Sequence, residues 1–224
     1  MDRKMQPAYF ALLIPICSML IAGGFLLHYE SEYKTADKEY QELSDKYTHG
    51  SIALQPKDAS AKETNNGPSS QEDYPDPLTI EWDKLISINP EITGWISFPL
   101  CGISYPVVQG DDNTKYLKMT FEGTQNASGA IFMDCQNKPD YTDKHTLLYG
   151  HNMKDRSMFG GLKPLRKDPA LVKTDPYFYI QTPDGRTRQY RVFAIREVNA
   201  DSEAYILFDN PSVYDDFVQK CINA

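Results

Sequence analysis

The sequence predicts a mostly β domain, folded as a closed or partly closed barrel with peripheral helices, behind an N-terminal transmembrane helix. Three features lead to this prediction. An uncharged apolar run of 20 residues starts at Ala8, and a polar stretch rich in Pro, Ser and Asn separates it from the rest. Beyond Leu78, short runs of β-branched and aromatic residues alternate with Gly, Pro, Asn and Asp, without a repeated βαβ unit.

Composition limits the classes of protein to which the chain can belong. Its 224 residues suffice for one domain with attachments. Lys and Arg number 23 against 31 for Asp and Glu, which gives a net charge of −8. That acidic balance argues against a nucleic-acid-binding protein, whose binding face is normally basic. The four Cys form no C-x-x-C pair, so neither a zinc knuckle nor a dense disulfide framework is predicted.

Residues 8–28 are predicted to cross a membrane once. A helix of about 20 residues spans about 30 Å, the thickness of a bilayer core. Arg3 and Lys4 lie in the preceding segment, residues 1–7, and positive charge there keeps an N-terminus in the cytoplasm. The domain is therefore expected outside the cell, attached to the cell membrane. A cleaved signal peptide is the alternative, which Pro15, Gly23 and Gly24 favour, but the apolar run is long and no A-x-A-like site follows it.

Residues 29–49 are predicted to form a helical stalk. Apolar and aromatic residues recur there at spacings of four and three, namely Tyr29, Tyr33, Ala36, Tyr40, Leu43 and Tyr47. Such a seam either pairs with another helix or folds back onto the domain, and so short a seam favours a monomer over a coiled coil. Residues 50–77 have the composition of a flexible linker.

The folded domain is predicted to cover residues 78–224. Residues 78–88 contain a short helix that ends before a Pro, and residues 211–224 form a second helix with Pro211 at its start. Strand-type runs lie between them, at 94–98, 103–109, 129–134, 145–150 and 189–198. Short strands joined by loops favour a barrel over a layered α/β fold.

Several segments of this domain occur in the order found in class B sortases, and the chain resembles that family over residues 78–224. They are GWI at 94–96, YPVVQ at 105–109, DNTKYL at 112–117, GAIFMD at 129–134, and LLYGHNM at 147–153 followed by MFGGL at 158–162. Their order and spacing, behind an N-terminal membrane anchor, make the resemblance specific.

The resemblance implies a membrane-tethered cysteine transpeptidase on the outer face of a Gram-positive cell. Such enzymes cleave a C-terminal sorting motif of secreted proteins between Thr and Gly, hold the product as a Cys thioester, and pass it to an amine of the peptidoglycan precursor. The implied partners are secreted proteins with a sorting signal, the precursor amine, and the membrane through residues 8–28. The implied fold is a β-barrel with an N-terminal helical element, and no cofactor is implied because thiol–imidazole chemistry requires none.

The resemblance makes His151 the catalytic acid and base. A strand ending in Leu147-Leu148-Tyr149 delivers it, and Gly150 is expected to give the backbone the freedom to turn the imidazole toward a cleft. An imidazole can protonate a departing amine and deprotonate an incoming one. Tyr149 and Asn113 match family positions near the substrate cleft, which makes them candidate substrate-binding residues. The alternatives are a structural His, a packed Tyr with its hydroxyl satisfied, and an Asn that stabilises a turn.

The family's nucleophile is absent from this sequence. It is the Cys of a T-L-x-T-C run at a strand end, followed by an Arg on the next strand, and no such run occurs among the 224 residues. Cys221 lies in a helical pattern, Cys135 follows a strand and Cys101 lies in a turn, so none is assigned as nucleophile. The resemblance implies that the last strands, which lie beside the histidine strand, are missing through truncation. We expect the polypeptide to be inactive and poorly soluble, because strand edges and core surface are exposed.

Two other classes of function stay open. One is a non-catalytic, membrane-tethered surface module that binds peptide or cell wall without turnover. The other is a metal hydrolase that uses His145 and His151. Their H-x5-H spacing matches no H-E-x-x-H pattern, and two His residues alone make a weak zinc site, so no metal site is predicted.

Overall fold

The computed structural model describes residues 6–50, 78–199, 201–208 and 210–223, although not the side chains at 6–18, 25–30 and 211. The helices are α1 Gln6–Tyr47, α2 Trp82–Ile88, α3 Lys163–Lys167 and α4 Pro211–Ile222. The strands are β1 Thr48–His49, β2 Thr79–Ile80, β3 Ile92–Phe98, β4 Ile103–Val108, β5 Ile131–Met133, β6 Leu148–Tyr149, β7 Tyr177–Gln181 and β8 Thr187–Arg191.

Helix α1 runs without interruption through both the predicted anchor and the predicted stalk. Where side chains are described, no helical stretch is both long and apolar enough to cross a bilayer. The predicted anchor at 8–28 lies mostly outside those side chains, so it stays a prediction. From residue 51 onward, the predicted linker at 50–77 lies outside the described residues altogether.

The C-terminal part of α1 packs on the domain, so the stalk seam folds back rather than facing outward. Ala36, Tyr40 and Leu43 are each at most 4% exposed. The Tyr40 hydroxyl donates to the Gly129 carbonyl at 2.7 Å and accepts from the Phe121 amide at 3.1 Å. Because this hydroxyl satisfies two buried backbone groups, the stalk is an integral part of the folded domain.

A short pair of antiparallel strands follows the C-terminal end of α1. Directly after α1, β1 pairs antiparallel with β2, with Thr48 opposite Ile80. The Glu81 amide also donates to the Tyr47 carbonyl at 3.0 Å. The chain therefore enters and leaves the 51–77 segment at neighbouring points, and that segment does not set the distance between α1 and the domain.

The remaining six strands form one curled sheet in the order β6-β5-β4-β3-β7-β8. Neighbouring strands are antiparallel except β4 and β5, which are parallel. Among the described residues, the outer strands β6 and β8 pair neither with each other nor with a further strand. The prediction of a mostly β, partly closed barrel with peripheral helices is thus confirmed in an open form.

The core lies on the central strands of this sheet. Strand β3 is buried along its whole length. Trp95 at its centre is fully buried, and its indole N–H donates to the Ser104 hydroxyl on β4 at 3.0 Å. Val107 on β4 and Ile131 on β5 are fully buried as well. The Ser104 contact matters because an unpaired N–H in such a core costs about 1–3 kcal/mol.

The predicted strand at 145–150 keeps only the two residues of β6. The Leu147 amide donates to the Asn137 side chain at 2.9 Å, and the His145 carbonyl accepts from the same side chain at 2.9 Å. These backbone groups are therefore satisfied by a side chain instead of a neighbouring strand. The predicted strand was too long, because the Asn137 side chain takes the hydrogen bonds that a neighbouring strand would otherwise have made.

Strand β7 is missing from the predicted set, although its sequence, YFYIQ, is rich in aromatic residues and a P-D-G turn follows it. The predicted strand at 189–198 ends at Arg191, opposite Tyr177, the first residue of β7. Beyond Arg191 the prediction is wrong, because the next residue on that side is Pro176, whose carbonyl accepts from the Val192 amide at 2.7 Å but which has no N–H to continue the ladder.

Both predicted helices of the domain are present as α2 and α4. The Asn210 side chain caps α4 by accepting from the Ser212 amide at 3.0 Å. Phe217 on this helix is buried, but Val213 is 49% exposed. The apolar residues of α4 are therefore only partly covered by the described residues.

Candidate functional site

His151 lies two residues beyond β6, at the outer edge of the sheet, as the sequence predicts. Its Nε2 atom is 2.8 Å from the Leu117 carbonyl oxygen. A carbonyl oxygen only accepts, so Nε2 must carry the proton of this hydrogen bond. In the neutral ring Nδ1 is then the unprotonated nitrogen, and no described residue hydrogen-bonds to it. The half-buried ring therefore presents an open proton acceptor beside the sheet edge.

Gly150, between β6 and His151, is required for space and not for an unusual backbone angle. It is not one of the residues with a positive φ. A Cβ at this position would lie 2.9 Å from the Phe159 ring, closer than real Cβ contacts. The expectation that Gly150 supplies conformational freedom is therefore wrong, since its missing side chain serves to let Phe159 pack against the strand end.

The loop that follows His151 folds back on itself. Asn152 and Met158 form an isolated antiparallel bridge, and the Met158 amide donates to the Tyr105 hydroxyl on β4 at 3.1 Å. Gly160 packs so closely on this loop that a Cβ there would lie 2.9 Å from the Met153 nitrogen. The MFGGL segment thus has a structural role, because it holds the loop that starts at His151.

A buried carboxylate, Asp134, joins the two predicted substrate-binding residues. It directly follows β5 and is 5% exposed. Its Oδ2 accepts from the Tyr149 hydroxyl and from the Asn113 side-chain amide, each at 2.8 Å. Its Oδ1 accepts from the Gln136 amide at 2.9 Å. These donors offset the cost of removing a carboxylate from water.

Asn113 is held at both ends of its side chain. Its Oδ1 accepts from the Cys135 amide at 2.8 Å, while its amide group donates to Asp134. The preceding Asp112 accepts from the Thr114 amide at 2.7 Å and so shapes the turn that aims Asn113 inward. Asn113 therefore stabilises local structure, as the alternative interpretation predicts. The role of Asn113 in substrate binding stays a prediction.

The Tyr149 hydroxyl also has a hydrogen-bond partner, the Asp134 carboxylate, as the alternative of a packed Tyr predicts. Burial, and after it the hydrogen bond to the Asp134 carboxylate, raises the pKa of Tyr149 well above its usual range. The phenol is protonated at neutral pH, so it acts as a hydrogen-bond donor and not as a base. Its substrate-binding role also stays a prediction.

One loop brings the three predicted residues together. The DNTKYL segment at 112–117 supplies Asn113, which meets Tyr149 through Asp134, and it also supplies the Leu117 carbonyl that holds His151. Asn113 and Tyr149 can each form a further hydrogen bond, because the amide NH₂ of Asn113 has a second hydrogen and the phenol oxygen of Tyr149 has lone pairs. Asn113 and Tyr149 can thus offer a donor and an acceptor to an extended peptide.

Sequence reasoning missed Asp134, although it ends the GAIFMD segment. The available signal was a lone acidic residue directly after an apolar strand. No sequence pattern shows that donors from Asn113 and Tyr149 converge on it, since these three residues lie on separate loops and strands.

The three cysteines whose side chains are described are unpaired and half-buried. Cys221 lies within α4, which confirms its helical assignment, and Cys135 lies in the turn that begins at Asp134. Burial raises the pKa of the Cys101 thiol to about 11, so this thiol is protonated at neutral pH. No hydrogen bond among the described residues links any of them to His151.

His145 belongs to a separate aromatic cluster. Its Nδ1 is 2.9 Å from the Ile206 carbonyl, and its ring centroid lies 5.3 Å from that of Phe208 and 5.7 Å from that of Phe217. Burial lowers the pKa of His145, an effect that the Ile206 carbonyl partly offsets. In the part of the chain that is described, no group of three His, Cys, Asp or Glu could hold a metal ion, and the hydrolase alternative gains no support.

Comparison with known proteins relates this geometry to a family. A family profile described as "Sortase domain" matches residues 96–220. Sortase B of Listeria monocytogenes is 33% identical over 139 residues, which are 61% of this chain and 55% of that protein. Sortase B of Staphylococcus aureus is 29% identical over 140 residues, which are 62% of this chain and 57% of that protein. The chain thus spans little more than half the length of these curated relatives.

Solved structures give a similar relationship in three dimensions. A crystal structure of sortase B from B. anthracis in complex with AAEK1 matches with a TM-score of 0.62 at 27% identity, over 86% of this chain and 81% of that one. A Staphylococcus aureus sortase B–substrate complex matches with a TM-score of 0.59 at 29% identity, over 63% of this chain and 65% of that one. The site built around residues 112–151 lies inside the matched range 96–220.

Proposed function

Because this chain belongs to the sortase family, and within it to class B, we propose that it carries the histidine side of a cysteine transpeptidase site. The observation that carries the proposal is the orientation of His151. One ring nitrogen is tied to the Leu117 carbonyl at 2.8 Å, and the other is open at the sheet edge. A ring held in this way keeps one tautomer and one direction for proton transfer.

The proposed chemistry uses Nδ1 of His151 in both directions. When the Thr–Gly bond of a sorting motif breaks and the Cys thioester forms, protonated Nδ1 gives its proton to the departing amine. When the acceptor amine attacks the thioester, neutral Nδ1 takes the proton that this amine loses. The Nε2–H bond to Leu117 persists through both steps and stabilises the imidazolium that is present before the first step and again after the second.

Asn113 and Tyr149 are proposed to bind the substrate peptide. Both are held by Asp134, so their free donor and acceptor positions are fixed before the peptide arrives. An extended peptide presents alternating carbonyl and N–H groups, which this pair can match. Because the residues are preorganised, little conformational entropy is lost when the peptide binds.

The proposed setting is the outer face of the cell membrane. Residues 8–28 form a single-pass anchor with residues 1–7 in the cytoplasm, and the domain is extracellular. The proposed substrates are secreted proteins with a C-terminal sorting signal, and the acceptor is an amine of the peptidoglycan precursor. A monomer is favoured, because the buried part of the stalk seam is already covered by the domain itself.

A polypeptide of residues 1–224 is proposed to be inactive by itself. No T-L-x-T-C run occurs in it, and Cys101, Cys135 and Cys221 have no hydrogen bond to His151 among the described residues. A second candidate function is therefore a membrane-tethered module that binds peptide without turnover. The specific observation in its favour is that the Asn113–Asp134–Tyr149 set is complete without a nucleophile.

The test joins residues 1–223 to a class B sortase segment that contains the T-L-x-T-C run and the following Arg. The chimera is incubated with a pool of Thr-Gly sorting peptides and a primary amine, and products are identified by mass spectrometry. We expect transpeptidation that a thiol reagent abolishes, whereas residues 1–224 alone bind peptides without cleaving them. Cleavage by residues 1–224 alone would contradict the proposed inactivity.

Matched variants separate catalysis from folding in that chimera. His151→Gln should abolish both hydrolysis and transfer, because glutamine cannot exchange the proton. His49→Gln serves as the control, since His49 is an exposed residue on β1, just after the C-terminal end of α1, and is paired with Glu81. If both variants retain activity, His151 is not the acid and base, and the hypothesis of a peptide-binding module without catalytic activity is favoured.

A further inference from the structure

Helix α1 is held to the domain along its C-terminal part, and Glu32 makes the first of these contacts among the side chains and backbone groups that are described. The Glu32 carbonyl accepts from the Asn126 side chain at 2.7 Å. At the other end, the Tyr47 carbonyl accepts from the Glu81 amide at 3.0 Å. Between these points Tyr40 is buried against the domain. The fastened part thus extends over about 22 Å of helix.

The start of this fastened part lies close to the end of the proposed anchor. Residue 28 ends the anchor, and Glu32 follows four positions later. A helix covers that separation in about 6 Å. Even a fully extended chain covers it in about 14 Å. The Glu32 contact between α1 and the domain therefore lies within about 14 Å of the anchor, whatever conformation joins them.

The loop that receives Glu32 is also the loop that holds the candidate catalytic residue. Asn126, which donates to Glu32, donates its own backbone amide to the Lys118 carbonyl at 2.9 Å. The adjacent Leu117 carbonyl accepts from His151 at 2.8 Å. Three hydrogen bonds and one step along the chain therefore connect the membrane end of α1 to the imidazole.

We infer that α1 holds the domain directly against a lipid bilayer, with the 117–126 loop on the bilayer side and the β1–β2 pair farthest from it. The inference rests on the proposed function, because it uses the proposed anchor. The interaction surface is the exposed part of this loop, including Lys118, Glu122 and Thr124, and its partner is the layer of lipid head groups. The candidate site is then presented at the height of the head groups, and not at the end of a flexible linker.

The inference is tested on the full chain reconstituted in phosphatidylcholine vesicles. A fluorophore is attached through a non-canonical amino acid, so the native cysteines stay unchanged, at either Gln125 or Lys84, both exposed. Gln125 adjoins the Glu32 contact, and Lys84 adjoins the Tyr47 contact. Lipids with a nitroxide on the head group then quench each fluorophore according to its depth. We expect severalfold stronger quenching at Gln125 than at Lys84.

Two insertions show whether the helix causes this difference. A six-residue Gly-Ser insertion between Glu30 and Ser31 adds up to about 20 Å of flexible reach and should remove the difference. The same insertion after Asn65 should leave it unchanged, because β1–β2 pairing ties the flanks of that segment together. This second variant controls for the effect of an insertion on expression and folding.

The outcomes distinguish this inference from the proposed location. If the chain does not float with the vesicles, the proposed anchor is wrong and the inference falls with it. If the chain floats but both positions are quenched equally, the anchor stands and the fixed orientation is overturned. A difference that survives the insertion at residue 30 also overturns it, because α1 would then not be its cause.

Discussion

The Tyr149 hydroxyl donates to the Asp134 carboxylate over 2.8 Å and so ties the strand that delivers His151 to the strand beside it. Strands β6 and β5 share only two residue pairs, Phe132 with Tyr149 and Met133 with Leu148. So short a ladder gives little stability by itself. The side-chain hydrogen bond crosses that ladder diagonally, from Tyr149 opposite Phe132 to Asp134 just beyond Met133, and so supports the position of the candidate catalytic residue.

Replacing Asp134 by Asn should lower the free energy of unfolding by about 1–3 kcal/mol, because at least one of its buried donors is left without an acceptor. The measurement is urea unfolding of the full chain in detergent micelles. Asp111→Asn is the matched control, since Asp111 is exposed, and it should stay within about 0.5 kcal/mol of the unmodified chain. Equal stability of the two variants would show that the Asp134 contacts contribute nothing.

Replacing Tyr149 by Phe should make stability less sensitive to alkaline pH. The pKa of Tyr149 is raised in the folded state, so its contribution is complete below the unfolded value near 10 and is lost as pH rises above it. The difference in slope should be a fraction of the about 1.4 kcal/mol per pH unit that one full proton gives, because the half-buried group is partly screened by solvent. Urea midpoints between pH 8 and 11 provide the measurement, and parallel curves for the two proteins would contradict the prediction.

His151 and His145 should have opposite neutral tautomers. The Leu117 carbonyl requires a proton on Nε2 of His151, and the Ile206 carbonyl requires one on Nδ1 of His145. Nitrogen chemical shifts of histidine-labelled protein at pH 8 distinguish the two forms, and each residue serves as the internal control for the other. A proton on Nδ1 of His151 would remove the basis for the proposed direction of proton transfer.

Replacing Tyr40 by Phe should destabilise the protein by about 1–3 kcal/mol, because the Phe121 amide and the Gly129 carbonyl both lose their partner inside the core. Urea unfolding in micelles is again the measurement. Tyr33→Phe is the control, since the Tyr33 hydroxyl has no partner among the described residues, and a change within about 0.5 kcal/mol is expected. A similar loss in both variants would mean that the Tyr40 hydroxyl does not hold α1.

Local patterns were enough to locate most of the fold and the centre of the candidate site. Strands β3, β4 and β5 and helix α4 follow from runs of apolar residues and from the turn residues around them. The position of His151 at a strand end follows in the same way, because the apolar run stops at Gly150. The length of β6 did not follow, since Asn137 satisfies backbone groups that a longer strand would have paired.

By itself the sequence determined the class of fold, the family and the position of His151, because these depend on the order of short motifs and on side-chain alternation along the chain. Only the tertiary structure decided which nitrogen of His151 is open, that Asp134 joins Asn113 to Tyr149, and that α1 packs on the domain. Each of these depends on a hydrogen bond between residues far apart in the chain. Such contacts form only when the sheet has curled and loops from different strands come together, and no local sequence pattern predicts which loops will do so.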